Sequence, residues 1–154
     1  MKKSSRKIRN PVLRIVERMV AALGKGDDKR LARYYDQLHD HCENLDHDSP
    51  LAWEALATWT MEPRASLRYF KIALKQFRKL NDPNDPSLPD VLFHVGRLAL
   101  ETGDLKSAQK HLAEAQQEAL RQHKVYAGGR HAEDMLKLER RIADLLLRIH
   151  LSNR

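Results

Sequence analysis

The sequence predicts an all-α protein built of antiparallel helix pairs stacked side by side, with a last helix capping the C-terminal end. Three observations predict it. Each segment between Gly, Pro and Asn/Asp punctuation repeats its apolar residues at three- and four-residue intervals. No segment sustains the apolar–polar alternation of a half-buried strand. The turns are short, which places consecutive helices against each other.

Asn10 and Pro11 pair an N-cap with proline at the first helical position. Val12, Val16, Met19 and Leu23 follow at helical spacing, with Ile15 and Val20 beside them, until Gly24 and Gly26 end the run. Asp27 or Asp28 caps a second helix striped by Leu31, Tyr35, Leu38, Cys42 and Leu45. Ser49 and Pro50 repeat the cap-plus-proline start, and Trp53, Leu56, Ala57 and Thr60 form the third helix. Pro63 breaks that pattern before Leu67, Phe70, Ala73, Leu74 and Phe77 resume it. The run Asn81-Asp82-Pro83-Asn84-Asp85-Pro86 is a loop, and Ser87 with Asp90 reads as a capping box for the fifth helix. That helix carries Val91, Leu92, Val95, Leu98 and Ala99 as far as Gly103. Asp104 caps the sixth, with Leu105, Ala108, Leu112, Ala115 and Ala119, and Gly128-Gly129 separates it from the seventh, with Met135, Leu138, Ile142, Leu145 and Ile149.

A chain of 154 residues suits one compact domain, expected over residues 10–154 behind a basic, flexible tail at residues 1–9. The net charge of +7 sits mostly in that tail: Lys2, Lys3, Arg6, Lys7 and Arg9 are accompanied by no acid, and without them 23 bases face 21 acids. A single cysteine, Cys42, excludes an intramolecular disulfide framework and a cysteine-only zinc site. No stretch approaches eighteen uncharged apolar residues, so no membrane span is expected. Arg14, Glu17 and Arg18 interrupt the apolar run that a secretory signal would need, although residues 1–23 share the basic, amphipathic character of a mitochondrial presequence. A cytoplasmic location is the expectation.

Gly96 stands inside a strong helical pattern, where glycine costs about 1 kcal/mol relative to alanine, so a neighbouring helix is expected to press against it. Around it runs Leu92-x2-Val95-Gly96-x2-Ala99, then Gly103, then Ala108-x3-Leu112-x2-Ala115. This unit resembles the tetratricopeptide repeat in spacing throughout, departing in identity at Leu92, Val95, Ala99 and Leu112 and lacking the terminal proline. A degenerate copy precedes it: Trp53-x2-Leu56-Ala57-x2-Thr60, then Ser66-x3-Phe70-x2-Ala73, with a turn three residues shorter than the family pattern. The likeness covers residues 50–120 by motif and the rest by architecture. It implies a short, right-handed, tetratricopeptide-like solenoid whose seventh helix caps the core. The spacing of Met135, Leu138, Ile142, Leu145 and Ile149 also matches a coiled-coil seam, so the choice between a monomer and a homodimer through this helix stays open.

The resemblance further implies a concave groove, lined by the first helices of the pairs, that holds a peptide or a partner helix. Carried over by position, its lining is Glu54, Thr58 and Met61 in the middle pair and Phe93, Arg97, Leu100 and Glu101 in the third. The set lacks the lysine- and asparagine-rich clamp with which some tetratricopeptide proteins hold a terminal carboxylate. The expected function is therefore a noncatalytic scaffold or adaptor for a protein or peptide partner.

No phosphate-binding loop, dinucleotide fingerprint, metalloprotease motif or nucleophile elbow occurs, so no enzyme and no cofactor are expected. His39, Glu43 and His47 would share a face if the second helix continued, with His41, Cys42 and Asp46 nearby; the plainer reading is a histidine-rich helix C-terminus without metal. The fourth helix is basic, and Arg68, Lys71, Lys75 and Arg78 lie near one stripe. With the tail residues they form candidate contacts for phosphate or an acidic partner, the basis of an alternative reading as a nucleic-acid-associated regulatory module.

Overall fold

Four helix starts sit where the sequence marks them. Asn10 accepts from the Val12 amide at 3.0 Å, Asp27 from Arg30 at 3.1 Å, Ser49 from Ala52 at 3.2 Å and Asp104 from Ser107 at 3.0 Å. The computed structural model describes residues 10–152, and the basic tail residues Lys2, Lys3, Arg6, Lys7 and Arg9 lie outside them. Among the described residues the α-helices are α1 (Pro11–Gly24), α2 (Asp28–Asp40), α3 (Pro50–Trp59), α4 (Pro63–Leu80), α5 (Ser87–Glu101), α6 (Leu105–Val125) and α7 (Arg130–Ser152). None of these residues forms a strand.

Two starts differ from the sequence reading. The Ser87/Asp90 capping box does not form; Ser87 is already inside α5, and its amide is bound at 2.9 Å by Asp85. Glu62, unmarked in the sequence, caps α4 by accepting from Arg64 and Ala65 at 2.9 and 2.7 Å, which pulls its carboxyl below the usual carboxylate range.

The helices pair as α1/α2, α3/α4 and α5/α6, α4 packs on α5 between pairs, and α7 lies on α6 as the cap. The buried residues form one cluster that runs from Val12 to Ile149. The shortened α3–α4 turn is held by the Ser66 hydroxyl, which donates to the Ala57 carbonyl at 2.8 Å. Tyr35 and Thr60 share a hydrogen bond of 2.8 Å that ties α2 to the end of α3. The long loop before α5 is fixed from behind. Fully buried Gln122 donates to the Asp85 carbonyl at 2.8 Å and meets His131 at 3.0 Å, joining loop, α6 and α7.

The expected close approach is at Gly96: a β-carbon there would stand 2.6 Å from Leu112 Cγ and 3.1 Å from the Leu112 amide. The α7 stripe is spent on its own chain. Met135, Leu138, Ile142 and Ile149 are buried and Leu145 packs against the core, while Leu147 is exposed. At the other end α1 buries Val12, Met19 and Ala22 but leaves Leu13, Val20 and Leu23 exposed; among the described residues it packs mainly on α2.

A methyl group at Gly96 has to displace Leu112 against its own backbone, a cost of about 1–3 kcal/mol that outweighs the helix-propensity gain of about 1 kcal/mol. Gly96→Ala is expected to lower the urea midpoint, and Gly96→Ala combined with Leu112→Ala to lose less than the sum of the two single changes. A double-mutant cycle by urea unfolding checks this, and strict additivity would remove the contact from the account.

Candidate binding groove

The α5 sequence between Leu88 and Leu100 is apolar except at Asp90, His94 and Arg97, and Glu101 continues their spacing of four, three and four. These four residues therefore form one polar stripe along the helix. Gly96 lies on the opposite face, against α6. Pressing α6 onto that side leaves the Asp90 end of the stripe facing α3 and α7, and its Arg97–Glu101 end facing α3 and α4.

Two clefts flank the stripe. The upper one, about 230 Å³, has Ala57, Phe70 and Leu98 among its apolar lining and Thr58, Met61, Arg97 and Glu101 among its polar and exposed residues. The lower one, about 370 Å³, lies where α3, the start of α5 and α7 converge, with Glu54, Asp90, Asp134, Lys137, Leu138 and Arg141 in its wall.

Between the clefts, the His94 ring stacks on Phe70 with centroids 4.9 Å apart. Its Nδ1 is 3.4 Å from Arg97 Nη2, and its Nε2 is 3.6 Å from Asp90 Oδ2. A guanidinium can only donate, so the Arg97 contact favours the tautomer whose Nδ1 accepts and whose Nε2–H faces Asp90. Burial lowers the His94 pKa, Asp90 opposes the shift, and Arg97 and Arg141 add to it. Glu54 behaves in the opposite sense. Burial, with the carboxylates of Asp90 and Asp85 close by, pushes its pKa up to about 7.

Of the residues expected to line a groove, the structure brings Thr58, Met61, Arg97 and Glu101 around one cleft and places Glu54 in the next. Met61 is 95% exposed at the rim. Leu100 is half-buried against the core. Phe93 requires correction as an exposed anchor: it is 1% exposed, and the Arg141 guanidinium lies 4.6 Å from its ring centroid. The sequence could not give the position of α7, whose Arg141 covers that ring. Asp90, read from the sequence as a capping residue, and His94, Asp134 and Arg141 were not expected in the groove. The regular spacing of Asp90, His94, Arg97 and Glu101 was the available signal for the first two.

The histidine-rich segment separates into pairs. A π-helical turn at His41–Leu45 ends α2, closed by the Asp46 amide donating to the His41 carbonyl at 2.9 Å. His39 lies 3.7 Å from Glu43, His41 3.5 Å from Asp46 and His47 3.4 Å from Asp48. Among the described residues no three His, Cys, Asp or Glu side chains converge in a metal-holding group. Cys42 is buried in the core, which, with Asp46 and Glu43 nearby, pushes its thiol pKa up to about 12. Trp53 is buried with its indole N–H on the His47 carbonyl at 2.8 Å, and Trp59 is half-buried against the core. Arg68, Lys71, Lys75 and Arg78 are exposed on α4, away from both clefts.

No family model and no curated protein sequence matches this chain. Among solved structures it is similar to the type III secretion translocator chaperone SycD of Yersinia enterocolitica, with a TM-score of 0.63 and 17% identity over 92% of this chain and 85% of that one. The likeness shows the fold: paired helices stacked in a row, with all seven α-helices within the described residues. No described helix is long and apolar enough to cross a membrane.

Because the folded-state pKa of Glu54 lies above its ordinary value of 4.5, the folded protein holds this proton more tightly than the unfolded chain. Its contribution to stability is highest below pH 4.5 and is lost as the pH rises toward 7. Glu54→Gln is expected to raise the urea midpoint progressively over that interval and to level off above it. A gain independent of pH would contradict the assignment.

Proposed function

We propose that the protein is a noncatalytic, chaperone-like adaptor that holds a segment of a partner protein in the groove between α3, α5 and α7. The observation that carries this reading is the polar stripe of α5. Asp90, His94, Arg97 and Glu101 interrupt an otherwise apolar helix on the face turned away from α6, where two clefts open and α4 reaches the stripe through Phe70. A face that served only packing would be apolar there. A row of polar side chains over a floor of Ala57, Phe70 and Leu98 instead suits recognition, with apolar side chains anchoring a segment and polar ones fixing its register. Flexible, exposed Met61 can fold over whatever enters.

The tetratricopeptide-like spacing around Gly96 and the structural likeness to a secretion translocator chaperone support the same reading. We take the protein to act as a monomer, because the α7 residues that could form an intermolecular seam are already buried in its own core. A partner protein is recognised by the groove rather than by the basic tail.

The test uses partners captured from nuclease-treated lysate on the full-length protein after a moderate-salt wash. Met61→Ala with Arg97→Ala is expected to reduce recovery of the bound protein by about tenfold or more, as loss of an interface anchor does, with helicity by circular dichroism unchanged. Phe93 is not a useful probe, since its replacement would open the core. Retained binding by the double variant would reject the groove, and binding lost only on deleting residues 1–9 would assign recognition to the tail.

A further inference from the structure

The helix that closes the upper cleft presents a second, different surface on its other side. From Pro63 to Leu80, α4 carries Arg64, Arg68, Lys71, Lys75, Arg78 and Lys79 and no acid. Arg64, Arg68, Lys71, Lys75 and Lys79 follow one another at four, three, four and four residues, a single row on the helix surface and about 22 Å long at about 1.5 Å per residue. All five are exposed. Ser66 and Phe70, which face the groove, lie on the opposite side.

Only the edge of this face is neutralised by a neighbouring helix. Arg78 Nη2 donates to both carboxylate oxygens of Glu114 on α6, at 2.8 and 2.9 Å. The N-terminal end of the row lies near the Glu62 carboxylate, which Arg64 and Arg68 help to hold below the usual carboxylate range, and the Arg68 guanidinium lies 5.1 Å from the Tyr69 ring centroid; no carboxylate ion pair is formed by Lys71, Lys75 or Lys79 among the described residues. The face is not purely charged. One shallow depression of about 420 Å³ is lined by Leu67 and Ile72 between the basic side chains, and a second of about 510 Å³ by Leu74 with Lys71, Lys75 and His111.

From this surface we infer that α4 docks an acidic amphipathic helix of a protein partner. Carboxylates of that helix lie along the Arg64–Lys79 row, and its apolar side chains enter the depressions at Leu67/Ile72 and Leu74. Glu114 on Arg78 is the same contact made within the chain, a helix-borne carboxylate seated on this helix. A nucleic acid fits less well. The α4 aromatic residues Tyr69, Phe70 and Phe77 are buried, so no ring on this face stacks a base, and the apolar depressions would go unused. An anionic lipid surface fits less well too, because Leu67 and Ile72 are half-buried between the cations rather than protruding beyond them.

The experiment measures fluorescence anisotropy on the full-length protein at about 0.15 M salt, where long-range attraction is screened. The probes are a labelled three-heptad Leu/Glu helical peptide, a scrambled peptide of the same composition, a short RNA duplex, and vesicles of phosphatidylcholine with phosphatidylserine. The amphipathic peptide is expected to bind about tenfold tighter than its scramble and than the duplex or vesicles, since shape and apolar contact add to charge. Lys71→Glu with Lys75→Glu should weaken it by a further tenfold or so, while the same charge change at exposed Lys106 and Lys110 of α6 leaves it within about twofold. Circular dichroism checks folding, and Lys71→Gln with Lys75→Gln replaces the reversal if that variant unfolds. Equal loss from both lysine pairs, equal binding of the scramble, or preference for duplex or vesicle would each overturn the proposal.

Discussion

The close approach of α5 and α6 at Gly96 orders the rest of the molecule. With no β-carbon on that side, Leu112 sits directly on the α5 backbone. Two consequences follow from geometry alone. The α5 face bearing Gly96 is committed to α6, so the polar stripe opposite it must look away. The outer side of α6 is then free to receive α7, whose buried Met135, Leu138 and Ile142 complete the core.

Within that groove two ionisable groups are held away from their ordinary behaviour in opposite senses. His94 is pushed toward its neutral form by burial against Phe70, with the guanidiniums of Arg97 and Arg141 adding to the shift and Asp90 opposing it. Glu54 resists ionisation because it is buried and faces other carboxylates. Neither arrangement favours folding, since each makes a charge harder to carry in the folded state than in the unfolded one. Sites that tolerate such a cost are drawn from functional surfaces more often than from packing surfaces. The Phe93–Arg141 contact belongs to the same economy. It covers an aromatic ring that would otherwise lie open, and the covering side chain also lines the lower cleft.

Much of the fold was legible in the sequence, because caps and helical periodicity are local. Asn10, Asp27, Ser49 and Asp104 bind the amides that their positions announced, and Gly96 meets Leu112 as its place in the pattern required. The misreadings have one origin, which is that local patterns do not give azimuth or chain exit. Ser87 matched a capping box, yet the loop delivers Asp85 to that amide instead. The face that His39, Glu43 and His47 would share on a continued helix is not formed, because the π-helical turn ends before His47. Phe93 matched a groove position, yet the cap helix lies over it. Thr58, Met61, Arg97 and Glu101 come together around one cleft, whose lining contains no residue of α7.

The structural likeness at 17% identity follows from the kind of constraint such a stack imposes. At most positions the core requires apolar volume at a given spacing and not a particular side chain. Leu92, Val95, Ala99 and Leu112 differ from the repeat consensus, and all four are buried. Identity is demanded only where volume must vanish, as at Gly96, or where a polar atom is buried and must be bonded, as at Gln122 and Ser66. Residues outside those classes are free to diverge without loss of the fold. The polar stripe of α5 and the basic row of α4 both fall among them. That freedom is why the fold class alone does not specify the partner, and why the chemistry of these two faces has to be read residue by residue.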